Sequence, residues 1–128
     1  TINNILWIKC SGNLESAITA TDYLIQARSF GAIWLNFHHT AQKQLNTFPN
    51  STWYRYRTKI KDCPTILLVT SQLPVIGSAK NQSFFFDKQK TIWSGHRKFK
   101  LLKEFRLSCE IKKPTGETPV LTVIGKEY

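Results

Sequence analysis

Four consecutive apolar residues, Ile66-Leu67-Leu68-Val69, stand between Pro64-Thr65 and the polar trio Thr70-Ser71-Gln72. A continuous apolar run bounded by breakers reads as a strand buried on both faces, as at the centre of an α/β sheet. Ligands of α/β folds bind outside the carboxyl ends of such strands, so a site is expected after Val69. There the chain enters a long stretch rich in Lys, Gln, Phe and Trp, read as a loop, and then a very basic strand candidate from Phe105 to Lys113. A basic, aromatic loop leaving that edge is suited to a polyanion.

The elements around this run set a layout. Ile5 to Ile8 is a short strand candidate, and Asn13 is placed to cap a helix carrying Glu15 in its first turn. Leu14, Ala17, Ile18, Leu24 and Ile25, with Thr21 between them, follow helical spacing up to Arg28, and Gly31 supplies the expected stop. Ala32 to Phe37 reads as the next strand, Thr40 to Leu45 as a short helix and Thr52 to Asp62 as a longer one. Alternation of strand and helix implies parallel strands. The last third looks antiparallel: Leu107, Cys109 and Ile111 alternate with charged or polar residues, and Pro114-Thr115-Gly116 turns the chain into Pro119 to Ile124. No linker, repeat or low-complexity segment interrupts it.

Charge narrows the function. Eighteen Lys and Arg against eight Asp and Glu give +10, which favours nucleic acid, an acidic protein or an anionic surface as partner. Cys10, Cys63 and Cys109 are odd in number, far apart and set in or beside apolar runs. They suggest neither a disulfide framework nor a zinc site, and point to a reducing, cytoplasmic setting. The apolar stretches are too short to span a membrane, and no signal peptide opens the chain. The triplets Asn50-Ser51-Thr52 and Asn81-Gln82-Ser83 are discounted as glycosylation sites on that ground. A chain that opens on Thr1 and holds no Met is expected to be processed, trimmed or a piece of something longer.

The order and texture of these elements resemble the second half of a RecA-type core. Ile5-Leu6-Trp7-Ile8, the Leu14–Arg28 helix and Gly31 to Leu35 are similar to that family's strand, helix and second-Walker-motif strand. Thr65 to Gln72 resembles the strand ending in a polar pair with a Gln that, in recombinases, contacts the ATP terminal phosphate and opens the second DNA-binding loop. Here that loop would run from Leu73 to about Lys98. Leu101 to Lys113 resembles the next family strand, and the opening also looks like the ATPase-deficient RecA relatives ImuA and SulA. The resemblance implies one α/β domain over residues 1–128: a RecA-like three-layer core with a mostly parallel sheet and antiparallel strands at its C-terminal end, or the later part of a longer such core.

The departures from the family define the expected activity. No G-x-x-x-x-G-K-[ST] phosphate loop occurs, and Asn36 stands where the family carries a metal-associated Asp. The resemblance therefore implies a pseudo-ATPase without catalytic residues, cofactor or metal. It would serve as an accessory or adaptor in DNA repair or the DNA-damage response, contacting DNA (single strands favoured), a recombinase or a polymerase, with self-association a further option. The candidate DNA contacts are Lys80, Lys88, Lys90, Trp93, Arg97, Lys98, Lys100 and Lys103, and Gln72 is the candidate loop switch or loop anchor.

Between Lys88 and Lys113 nine Lys or Arg accompany two acids, Glu104 and Glu110. Phe84-Phe85-Phe86 and Trp93 interleave with that charge as candidate stacking groups, although Phe84 and Phe86 on one strand face read more simply as core. Two alternatives stay open. One is a SulA-like regulator without DNA affinity, docking through an apolar patch around Trp34, Phe37 or Trp53. The other is a metal-dependent nuclease built on Asp87, Glu110 and Lys112. His38, His39 and His96 have no metal-ligand spacing and read as solvated loop residues.

Overall fold

The computed structural model describes residues 4–77, 80 and 82–126. They fall into two compact units, Thr1–Ala79 and Lys80–Tyr128.

In the first unit, helix α1 (Leu14–Ala27) starts as the sequence dictates, with the Asn13 side chain accepting from the Ser16 backbone N–H at 3.0 Å. Its C-cap is Arg28 in a left-handed conformation, φ 50°, donating its N–H to the Ile25 carbonyl, so the expected stop at Gly31 comes early. Strand β1 (Ala32–Asn36) leads through α2 (Gln42–Leu45) and α3 (Asn50–Ile60) to β2 (Ile66–Thr70). β1 and β2 pair in parallel, with Trp34 opposite Leu68 and Asn36 opposite Thr70.

Helix faces supply most of the core. Ile25, Ile33, Phe37, Leu45, Phe48, Trp53 and Tyr56 are buried together, with Leu67 and Val69 packed against them. Phe48 stacks on Trp53 with ring centroids 4.4 Å apart, and Phe37 and Tyr56 meet this pair edge-on at 6.2 Å. Aromatic contacts of this kind add about 0.5–1.5 kcal/mol each to simple burial. The Tyr56 hydroxyl donates to the Ile18 carbonyl at 3.1 Å, tying α3 to α1. Asp22 on α1 accepts from Arg55 at 2.8 Å and Lys59 at 3.2 Å on α3.

The second unit is one antiparallel sheet in the order β3-β4-β5, formed by Ser83–Ser94, Leu101–Lys112 and Val120–Lys126. Two register shifts interrupt the β3–β4 ladder, leaving Gln89 and Lys103 as extra residues. Cross-strand partners share a face, so register sorts the side chains. Phe84, Phe86, Trp93, Leu107, Cys109 and Leu121 fall on one face, and Asp87, Glu104, Arg106, Glu110 and Lys112 on the other.

This architecture corrects the expected RecA-like three-layer core. That core needs a continuous sheet covered on both sides, whereas here a two-stranded parallel sheet and a three-stranded antiparallel sheet are separate. Ile5 to Ile8 pairs with no strand, and Trp7 there is 82% exposed. The central run is not buried on both faces either: Leu67 and Val69 pack inward while Ile66 is 68% and Leu68 48% exposed. The expected loop from Leu73 to Lys98 contains the twelve-residue strand β3. Phe84 and Phe86, read as core, lie 49% and 63% exposed. Among the described residues no helix is long and apolar enough to cross a membrane.

Candidate nucleic-acid interface

Strands β3 and β4 form a hairpin that outruns the third strand. The β4–β5 ladder stops at Glu104, opposite Lys126, while β3 and β4 continue pairing to Ser94 opposite Leu101. Beyond Glu104 the sheet is therefore a two-stranded ribbon closed by residues 95–100. The turn is specified closely. The Phe99 N–H donates to the His96 carbonyl at 3.1 Å, Gly95 has φ 93°, and a side chain there would collide with the Phe99 carbonyl oxygen. Arg97 takes φ 53°, a region that glycine occupies more readily.

Four of the candidate cations lie on this ribbon and two, Lys88 and Lys90, on the three-stranded part of the sheet just before it. Lys88 and Lys90 flank the extra residue Gln89 on β3, Arg97 and Lys98 occupy the turn, Lys100 precedes β4, and Lys103 is the extra residue on β4. All six are exposed. From Lys88 to Lys103 the chain carries no acid. Among the described residues none of the six forms an ion pair; the acids are engaged elsewhere, Glu104 with Arg106 at 2.7 Å, Glu110 with Lys112 at 3.9 Å and Glu117 with Lys113 at 4.0 Å. The Arg106 guanidinium holds the Glu104 carboxyl below its ordinary range. Glu104, which directly follows Lys103, is thus already matched, while Asp87, which directly precedes Lys88, forms no ion pair among the described residues.

The other candidate residues separate. Lys80 precedes β3 and is half-buried. Trp93 lies on the apolar face of the sheet, opposite Leu102, and the aromatic seated among the turn cations is Phe99, 86% exposed. Sequence reasoning passed over Phe99. Its signal was available in the pattern Arg97-Lys98-Phe99-Lys100, one aromatic inside a run of cations after a glycine. Gln72 belongs to the first unit and is exposed just after β2; the hydrogen bond that shapes this point is Ser71 Oγ donating to the Leu73 carbonyl at 2.6 Å.

Asn36 is occupied structurally at the carboxyl ends of β1 and β2. Its Oδ1 accepts from the His38 N–H at 3.0 Å and the Thr70 hydroxyl at 3.3 Å, while Trp34 Nε1 donates to Thr70 Oγ1 at 2.9 Å. His38 and His39 pack against each other edge-on, centroids 4.9 Å apart. Asp87 and Glu110 share the polar sheet face, but Lys112 Nζ sits 4.7 Å from the Phe85 ring centroid and beside Glu110. Among the described residues no three His, Cys, Asp or Glu side chains converge as a metal site.

No family model, curated protein or solved structure matches the chain. The chemistry of the ribbon therefore has to speak for itself. Arg97, Lys98 and Lys100 neighbour the exposed Phe99 in the turn, and exposed cations beside an exposed ring are a surface suited to phosphates and to stacking on a base.

Proposed function

We propose that this protein is a non-catalytic adaptor of DNA repair or the DNA-damage response that binds DNA, single strands preferred, through the β3–β4 hairpin. The observation carrying this reading is the Lys88–Lys103 stretch: six exposed Lys and Arg, no acid, and no ion pair among the described residues. Phe99, 86% exposed in the turn, gives the preference for unpaired bases a physical basis. The repair setting, with a recombinase or polymerase as protein partner, is supported by the sequence resemblance around Gln72 and the strand before it.

The test is fluorescence anisotropy of labelled single- and double-stranded DNA across a salt series. Four phosphate contacts give a slope of log affinity on log salt near −3 to −4 on duplex, at roughly 0.9 per phosphate, and near −3 on single strands. Lys98→Glu with Lys100→Glu should shrink that slope by about 2 and weaken binding about tenfold or more at low salt. Absence of binding at low salt would retire the reading.

One observation favours a second reading, a protein-binding regulator without DNA affinity. Trp34 is 60% exposed on the same sheet face as Ile66 and Leu68, whereas Phe37 and Trp53, expected in the same patch, are buried. Under this reading Trp34→Asp disables the protein while the hairpin variant leaves it intact.

A further inference from the structure

The two outer strands of the second unit are built differently. β3 carries Lys88 and Lys90 around the extra residue Gln89, the charges and bulge that keep a sheet edge from pairing. From Val120 to Gly125, β5 holds neither charge, proline nor bulge. It is also apolar on both faces. Leu121 and Val123 belong to the apolar face, but Val120 and Ile124, 63% and 49% exposed, lie on the face that carries Glu104, Arg106 and Glu110. Apolar residues on both faces are the pattern of an interior strand, whereas among the described residues β5 has a neighbour on one side only.

The backbone of this edge is complete. The Ile111 N–H donates to the Pro119 carbonyl at 3.0 Å, so in this register Leu121, Val123 and Gly125 also turn their backbone groups to β4. Val120, Thr122 and Ile124 turn theirs to the open edge. The missing N–H of Pro119 falls on the β4 side and leaves that edge intact.

We propose that β5 pairs antiparallel with β5 of a second copy of this chain, edge to edge, about a twofold axis at Thr122. The two three-stranded sheets then form one continuous sheet, with both β3–β4 ribbons at its outer margins. A twofold contact requires a self-complementary surface, and β5 supplies one. About this axis Val120 lies opposite Ile124 of the partner, Leu121 opposite Val123, and Thr122 opposite its own copy. Apolar and β-branched side chains thus meet their like on both faces, the pairs that stabilise neighbouring strands. Charge agrees with this pairing. On the polar face Arg106 flanks Ile124 and Glu110 flanks Val120. The twofold therefore gives each of these rows Arg106 at one end and Glu110 of the partner at the other. Lys126, the one charge on β5, lies beside Glu104 of its own sheet and falls opposite Thr118 of the partner. No like charges stand directly opposite, although each chain carries +10.

Sedimentation equilibrium of the full chain tests this at ~100 µM, well above a micromolar Kd, and at about 0.5 M salt, where repulsion between the chains is screened. The wild-type chain should be dimeric. Thr122→Pro removes the central N–H of the open edge without touching the β4–β5 ladder, and should be monomeric with an unchanged circular dichroism spectrum. Val120→Lys places a charge on the edge and should be monomeric as well; it carries the test if the proline variant does not fold. Under an added oxidant Thr122→Cys should crosslink to its own copy, because a hydrogen-bonded pair sets the two Cα atoms about 5.5 Å apart. Val120→Cys, opposite Ile124, should not. A monomeric wild-type chain would overturn the proposal, and that result needs no variant. Dimers that persist in Val120→Lys would place the contact elsewhere and overturn it too. Crosslinking through residue 120 but not 122 would overturn the axis at Thr122.

Discussion

Tyr56 shows how much one residue carries. It is 1% exposed, packs edge-on to Trp53 and places its hydroxyl on the Ile18 carbonyl. Burial first, and the nearby Asp22 carboxylate second, push its phenol from 10.0 to about 12. The neutral form is therefore favoured in the folded state. Its stabilisation is fully present below pH 10, where the unfolded chain also keeps the proton, and drains away as pH rises through the folded value. A rise of that size corresponds to roughly 2–3 kcal/mol. Chemical denaturation of wild type and Tyr56→Phe at pH 9 and pH 11.5 should show a steeper alkaline loss in wild type. Parallel losses in the two proteins would mean that the ring is not shielded as described. Helical spacing over Thr52 to Asp62 sets Trp53, Tyr56 and Ile60 on one side and so separates Tyr56 from Tyr54, which is 46% exposed, but spacing names a face without naming its most enclosed residue.

Among the elements, α1 was legible because cap, first-turn acid and apolar spacing agreed from Asn13 onward. Strand β3 was not, and its bulges explain why. Phe84, Phe86 and Lys88 occupy even positions on one face, and after the extra residue Gln89 that face continues at the odd positions Thr91 and Trp93. Alternation that changes phase midway, across a Lys-Gln-Lys segment, looks aperiodic and so reads as loop. Ile5 to Ile8 failed in the opposite sense, since an apolar run becomes a strand only where an edge is available to pair with it. The candidate cations were legible from composition, whereas Phe99 emerged only once the turn was placed. That turn gives a prediction. Arg97 holds φ 53° at a cost of about 1 kcal/mol relative to glycine. Arg97→Gly should therefore keep the hairpin, or raise its stability by up to about 1 kcal/mol, while cutting the salt slope of DNA binding by about 1. Thermal melts and anisotropy on the same variant separate charge from fold. A destabilised hairpin would show that the Arg97 side chain supports the turn.

For the whole molecule, a net charge of +10 makes salt the first variable to change: phosphate binding weakens as salt displaces it, so anisotropy on one sample at two salt concentrations reads the electrostatic share without mutagenesis. The resemblance that suggested one continuous core came from local texture, meaning the order of strands, helices and basic stretches. Texture does not encode which strand edges meet, and that is where the expected three-layer arrangement gave way to two sheets.

Cys109 turns the second unit into its own clock. It is 4% exposed at the middle of β4, whereas Cys10 and Cys63 are half-buried. A thiol reagent should therefore label two cysteines readily and the third only when the sheet opens. The slow phase then times the breathing of a three-stranded sheet against the clock of a covalent reaction. Equal labelling rates at all three thiols would mean that the sheet opens faster than the reagent can act.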